Sequence, residues 1–288
     1  MTAHSTGRLQ HMTEVDLDNI SIAKAPIESQ HSVRSMLAGR SAQGELALET
    51  VPHACFKIRA ADCSRERRSA NSLIDRMYAT RGYETTSLLE EESPDTKTFL
   101  ASDHNAAIGT LTIGLDSAKG LLADDLFADE VRHFREAGLE ICEFTKLAMD
   151  RRARSPRLLA SLFHVAYIYA HKIKSLHNLL IEVNPRHVRY YQTMLGFKII
   201  GTERHNLRVN APAVLLSLDL CYAQEQIHRF GGKHEMFATE RSAYPYFFSV
   251  NDEEGIIDRL HRTDEDIAHV FEINKIRTIA SHTEVSLH

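Results

Sequence analysis

From Pro156 to Ala170 the chain reads PRLLASLFHVAYIYA, a helical stretch with apolar side chains on nearly all sides. Ser155 is a good N-cap and Pro156 suits the first helical position, so the start is marked as well as the span. A helix without a polar face is stable only when deeply buried. The rest of the chain must supply the layers that cover it, and 288 residues suffice for one large domain or a domain plus an extension.

Those layers are legible as a series of short elements. CFKIRAA, from Cys55, alternates apolar and polar side chains as a strand does. Leu73, Ile74, Met77 and Tyr78 recur at helical spacing, and Gly82 stops that helix. KTFLASDHNAAIGTLTIGLDS sets two apolar runs on either side of Asp103-His104-Asn105, a hairpin signal. A short helix ending at Gly138 and the strand EICEFTKLAMD precede the apolar helix. NLLIEV is a strand, Pro185 opens a helix that stops at Gly196, and FKIIG and PAVLLSLDL are closing strands. The fold class expected is α/β (α+β), a mixed sheet with helices on both faces. Residues 1–50 are polar and weakly periodic, expected as a poorly ordered arm with one helix near Val33–Leu37. Residues 51–222 form the main domain. Residues 223–288 are expected to be a mostly helical extension with an aromatic cluster at Tyr244, Tyr246, Phe247 and Phe248.

Composition removes several classes. A net charge of -5 gives no reason to expect nucleic-acid binding. No apolar run reaches the roughly 20 residues that span a bilayer, so no integral membrane segment is expected. The start, MTAHSTGRLQHMTEVD, has no apolar core of a secretory signal. Four scattered cysteines without a CxxC pair fit small apolar fillers in a reduced, cytoplasmic setting. None of the 17 histidines falls into HxxxH or HExxH spacing, so no metal site is expected.

Two stretches can carry chemistry. In the first, strand 140–149 runs into Arg151-Arg152-Ala153-Arg154-Ser155-Pro156-Arg157 and a helix N-terminus. Unsatisfied N–H groups, the helix dipole and four arginines favour an anion there. The other reading is a solvated basic loop. The second is Asn184-Pro-Arg-His-Val-Arg-Tyr-Tyr-Gln-Thr-Met-Leu-Gly-Phe197, where Tyr190 or Tyr191 can protonate a leaving thiolate. Plain core or lining tyrosines are the alternative.

This succession resembles the GNAT acyltransferase superfamily. Asn184, Tyr191, Gly196 and Phe197 match its N-x6-Y…GF segment, with one extra residue before the glycine. ICEFTKLAMDRRARSPRLLASLFHVAYIYA, IEVNPRHVRYYQTMLGF and VNAPAVLLSLDL look like the N-acyl amino acid synthases, which are similar in turn to N-acyl homoserine lactone synthases. The likeness covers about residues 54–222 and is specific in its second half. It implies a splayed central sheet and transfer of a long-chain acyl group from acyl carrier protein to an amino acid, with no tightly bound cofactor. Glu143, Thr145 and Lys146 stand where the lactone synthases carry Glu-x-Ser/Thr-Arg. The usual phosphate loop contains glycines, whereas 151–157 has none. Close wrapping of a CoA pyrophosphate is disfavoured, and a single phosphopantetheine phosphate held by arginine side chains is favoured over acyl-CoA.

The resemblance then implies roles. Glu143 is the candidate base, with a carboxyl pKa raised by apolar neighbours, Glu182 the reserve, and Tyr191 the acid. A structural Glu143–Lys146 ion pair, which needs a bulge in the strand, is the alternative. On a flat strand Glu143 shares a face with Ile141, Thr145 and Leu147. Backbone N–H groups of the Glu143 strand receive the oxyanion. Lys146, Arg151, Arg152, Arg154, Arg157 and Asn184 are candidates for holding the donor, with Lys172 and Lys174 steering an acidic carrier. Arg59, Arg81, Arg186 and His187 are candidates for the acceptor. The long helix and the aromatics near Tyr246 line an acyl tunnel or are core. Three other functions compete. A lactone synthase usually carries an Arg/Phe/Trp acceptor pattern, and this chain has no tryptophan. A CoA-dependent N-acetyltransferase lacks its glycines here. A non-catalytic carrier-binding module remains.

Overall fold

The computed structural model describes residues 21–26, 55–83, 93–153 and 155–264. Its centre is an eight-stranded sheet in the order β1-β2-β3-β4-β5-β6-β8-β7. The strands are β1 (Ala23–Pro26), β2 (Cys55–Ala60), β3 (Thr96–Asp103), β4 (Ala106–Leu115), β5 (Ile141–Met149), β6 (Asn178–Val183), β7 (Lys198–Asn206) and β8 (Ala211–Asp219). Every neighbouring pair is antiparallel except β5 with β6.

Local chemistry accounts for the elements. The β3–β4 turn puts His104 at φ 43 and Asn105 at φ 70, a conformation asparagine tolerates and tight hairpins demand. Helix α1 (Ser64–Ala79) buries Ala70, Leu73, Ile74 and Met77, one stripe of a 3.6-residue period. Helix α2 (Asp124–Glu136) buries Phe127 and Val131. Helix α3 (Pro156–Tyr167) is buried continuously from Leu158, as its composition requires, and continues as a π-helical turn over Ile168–Ile173. Ser155 Oγ accepts the Leu158 N–H at 3.0 Å. Helix α4 (Pro185–Leu195) ends on Gly196 at φ 81, a left-handed cap that favours glycine.

Two layers of helix cover the sheet. Leu73, Ile74 and Met77 of α1 pack on Ala148, and Phe127 and Val131 of α2 on Ile141, Leu180 and Leu215. On the other face α3 lies against Phe56, Ile58, Phe99, Leu111 and Ile113, with α4 beside it. The elements expected between Cys55 and Leu220 are present in the expected order.

The N-terminal flank differs from expectation at residues 21–26. Residues 21–26 lie in the segment expected as an arm, yet Ile22, Ala23 and Ala25 are buried and β1 extends the sheet edge. A four-residue strand is too short to stand out in a polar stretch, and its partner β2 lies far along the chain. The helix expected near Val33–Leu37 lies outside the described residues. Helix α5 (Leu220–Phe230), short helical turns at His234–Met236 and Tyr244–Tyr246, and a helix α6 over 250–264 follow β8. This helical extension, as expected from the sequence, packs into the core. Tyr244, Phe247, Phe248, Ile256 and Leu260 share one cluster with α3. Each such buried side chain contributes about 1.5–3 kcal/mol. The aromatics surround the fully buried His164, with Phe247 stacked on it at 5.0 Å and Phe248 at 5.6 Å. Their place is core; none of them lines the cavity described next.

Candidate active site

Strands β5 and β6 pair over only Ile141–Glu143 and Asn178–Leu180. Beyond Glu143 they separate, and a cavity of about 410 Å³ opens between them. Its apolar wall includes Phe144, Leu147, Leu159, Phe163 and Ile181. Its polar side carries Glu143, Glu182, Asn206 and Arg208. Tyr78, Arg81, Tyr83, His187 and Tyr190 also line it, with Arg81 and Tyr190 exposed.

Glu143 is 4% exposed. One carboxylate oxygen accepts the Leu122 N–H at 2.8 Å and the other the Ala123 N–H at 3.0 Å, at the entrance to α2. Burial pushes its carboxyl up to about 7, against the smaller opposing pull of those two N–H groups. Glu182 faces the same side. It pairs with Arg208 at 2.6 Å and accepts from the Asn206 side chain. Burial raises its carboxyl too, although Arg208 opposes this. Arg208 also donates to the Leu122 carbonyl at 2.6 Å, so one guanidinium ties β6 to the loop that holds Glu143.

Strand β5 is not flat. Thr112 pairs with Thr145 and Thr110 with Ala148, so Lys146 and Leu147 together face Leu111 in a bulge. Lys146 sits at φ 52. The extra residue moves Leu147 off Glu143's face. Leu147 packs with Phe144 and Met149 on the α3 side, while Ala148 joins α1 on the other. The flat-strand expectation for Leu147 is therefore corrected by the bulge.

The remaining candidates divide. Tyr191 lines the cavity, its ring 6.2 Å from Phe163 and 5.8 Å from Phe197, and burial pushes its hydroxyl well above the ordinary range. Lys146, Asn184, Arg81 and His187 line it as well. Asn184 caps α4 by accepting the Arg186 N–H at 3.3 Å. Arg186 lies behind this lining, donating to Tyr83 Oη at 3.1 Å and His187 Nε2 at 3.3 Å. Arg59 is elsewhere, 3.7 Å from Glu66. Arg151 and Arg152 are exposed and Arg157 half-buried, and none of the three lines the cavity. Their stretch begins just past Met149, which does. Arg154 lies outside the described residues. Asp150 accepts the Arg152 N–H at 2.9 Å and pairs with Arg76 at 2.9 Å. Lys172 lies 3.8 Å from Glu253 and Lys174 lies 3.4 Å from Asp264.

Sequence reasoning missed Asn206, Arg208, Tyr78 and Tyr83. Arg208 stands in the short turn 207–210 between β7 and β8, where no period marks it and its partners are remote in sequence. Among the described residues no group of three His, Cys, Asp or Glu is placed to hold a metal, and no helix is long and apolar enough to cross a membrane.

The model of the family described as N-acyl amino acid synthase FeeM matches residues 69–219. The solved structure of FeeM, an N-acyl amino acid synthase from uncultured soil microbes, is 30% identical. The match covers 59% of this chain and 93% of that one, with a TM-score of 0.55. An N-acetyltransferase from Staphylococcus aureus Mu50 is 12% identical, covering 58% and 98% of the two chains, with a TM-score of 0.43. The AHL synthase LasI is 14% identical, covering 58% and 91%, with a TM-score of 0.44. No curated protein matches. With more than half its length inside that family model, the chain belongs to the N-acyl amino acid synthase FeeM family.

Proposed function

We propose that this acyltransferase moves a long-chain acyl group from the phosphopantetheine thioester of acyl carrier protein to the amine of an amino acid in the cytoplasm. The observation that carries the reading is a buried carboxyl, Glu143, ionising near 7 beside an apolar cavity in a gap between two strands. The amine nitrogen attacks the thioester carbon. Glu143 takes the proton it sheds, directly or through one water. The oxyanion is met by backbone N–H groups of β5. The C–S bond breaks and the thiolate takes the proton of Tyr191, whose raised affinity for a proton makes it recover one at once, through water, as Glu143 releases the proton it took from the amine.

The carrier's acidic surface suits the exposed Arg151 and Arg152 at the end of β5. Arg81 and His187, in the cavity lining, are the better placed of the acceptor candidates. The test is thiol release and mass spectrometry with lauroyl carrier protein, lauroyl-CoA and a mixture of common amino acids. N-lauroyl amino acid from the carrier-bound donor supports the proposal. Turnover only with CoA overturns the donor, acyl lactone as the product overturns the acceptor, and no acylated product overturns both.

A further inference from the structure

We infer that Thr110 is a positioning residue for acyl transfer, pinning the β5 bulge so that the Leu147 N–H is aimed into the cavity at the thioester oxygen. The inference rests on the proposed reaction and identifies the part of β5 that meets the oxyanion. Thr110 is fully buried on β4, opposite Ala148. Its hydroxyl donates to the Lys146 carbonyl at 2.9 Å. That carbonyl belongs to the bulge, and Lys146 holds φ 52, a left-handed conformation that side-chain-bearing residues rarely keep without support.

The direction of the next N–H follows from peptide geometry. In a trans peptide the C=O of Lys146 and the N–H of Leu147 point to opposite sides. Thr110 draws the carbonyl toward β4, so the Leu147 N–H turns away from β4. On that side β6 has already left the ladder, since its pairing ends at Leu180. What lies there is the cavity, whose lining includes Thr145, Lys146 and Leu147. A hydroxyl that touches no substrate thus sets the angle of a donor that does. A valine at this site has the same shape and cannot hold the carbonyl; a serine can.

The experiment compares wild type, Thr110→Val and Thr110→Ser with lauroyl carrier protein and a mixture of common amino acids. Thr110→Val should lower kcat roughly 10- to 100-fold, as misaligned oxyanion donors do, while KM for the donor changes by less than about twofold. Thr110→Ser should recover most of the lost kcat. An unchanged kcat in a folded Thr110→Val protein overturns the inference, as does a rise in KM that accounts for the whole loss. Should the valine protein fail to fold, Thr110→Ala, which leaves more room, takes its place with the same expectation. If neither folds, Thr110 is a structural residue and the inference falls. Failure of the functional reading is visible separately, as absence of N-acyl amino acid from the wild type.

Discussion

Gly114 lies directly across the β4–β5 ladder from Glu143, and a Cβ there would sit 3.0 Å from both Cγ and Oε1 of that carboxyl. The missing side chain is the space in which Glu143 reaches the Leu122 and Ala123 N–H groups. Gly114→Ala should push the carboxyl off those donors. The expected cost is about 1–2 kcal/mol of stability, read by urea unfolding, with a larger proportional loss in kcat than in donor KM.

The pH dependence of turnover should carry the same carboxyl. Burial, the leading cause, lifts Glu143 from 4.5 to about 7. As a base it works when ionised, so kcat/KM should rise with pH to a plateau through an apparent pKa near 7. Stability runs the other way. The folded state holds this proton more tightly than the unfolded state, so the residue's contribution is full below 4.5 and lost as pH rises to about 7. The loss is roughly 3 kcal/mol. Glu143→Gln should remove the rising limb of kcat/KM and flatten stability over that window. A limb that persists in the variant would assign it to another group.

Arg208 lowers the Glu143 carboxyl and offsets Glu182, to which it is bonded at 2.6 Å. Arg208→Gln should therefore move the kcat/KM limb to higher pH. It should also cost about 2–3 kcal/mol, because the partly buried Glu182 loses its cation and the Leu122 carbonyl its donor. A limb at unchanged pH would show that Arg208 acts on shape alone.

His164 accepts the Phe248 N–H on Nδ1 at 3.0 Å, so Nε2 carries the proton and donates to Glu253 at 3.3 Å. Burial, its largest influence, holds the imidazole below 6.5. The unfolded chain gains that proton first, so this residue's contribution is lost as pH falls below 6.5. His164→Leu should leave both partners unsatisfied at a cost of about 2–3 kcal/mol and expose the segment 231–249 to protease. Turnover of the remaining folded protein should be little changed, since His164 does not line the cavity.

Phe163 stands in the cavity wall, edge-on to Phe144 at 5.7 Å. Phe163→Leu enlarges the apolar space and should shift donor preference toward longer chains, at about 1 kcal/mol of stability. Competition between carrier-bound acyl chains of different length measures it. An unchanged chain-length profile would place the acyl group elsewhere.

Much of the fold could be read locally because its signals are local. Ser155-Pro156, Pro185 and Gly196 are cap and stop chemistry of single turns, and the α1 stripe of Ala70, Leu73, Ile74 and Met77 is one helix's own period. Asp103-His104-Asn105 specifies its turn without reference to anything distant. Glu143 and Tyr191 were nameable because they stand inside such elements and inside segments resembling a family. Whether a residue lies on the cavity was not nameable in this way. Arg59 and Arg81 are chemically alike, but one pairs with Glu66 and the other lines the cavity.

The sequence by itself determined the elements, their order and the buried helix they enclose, since hydrophobic period and capping act over a few residues. Tertiary structure alone decided the β5 bulge, the clamp of Arg208 on Glu182 and Leu122, the seat of Tyr244, Phe247 and Phe248 in the core, and β1 at the sheet edge. Each depends on register or contact between segments far apart in the chain. A one-residue change in pairing alters such a contact while leaving every local pattern intact.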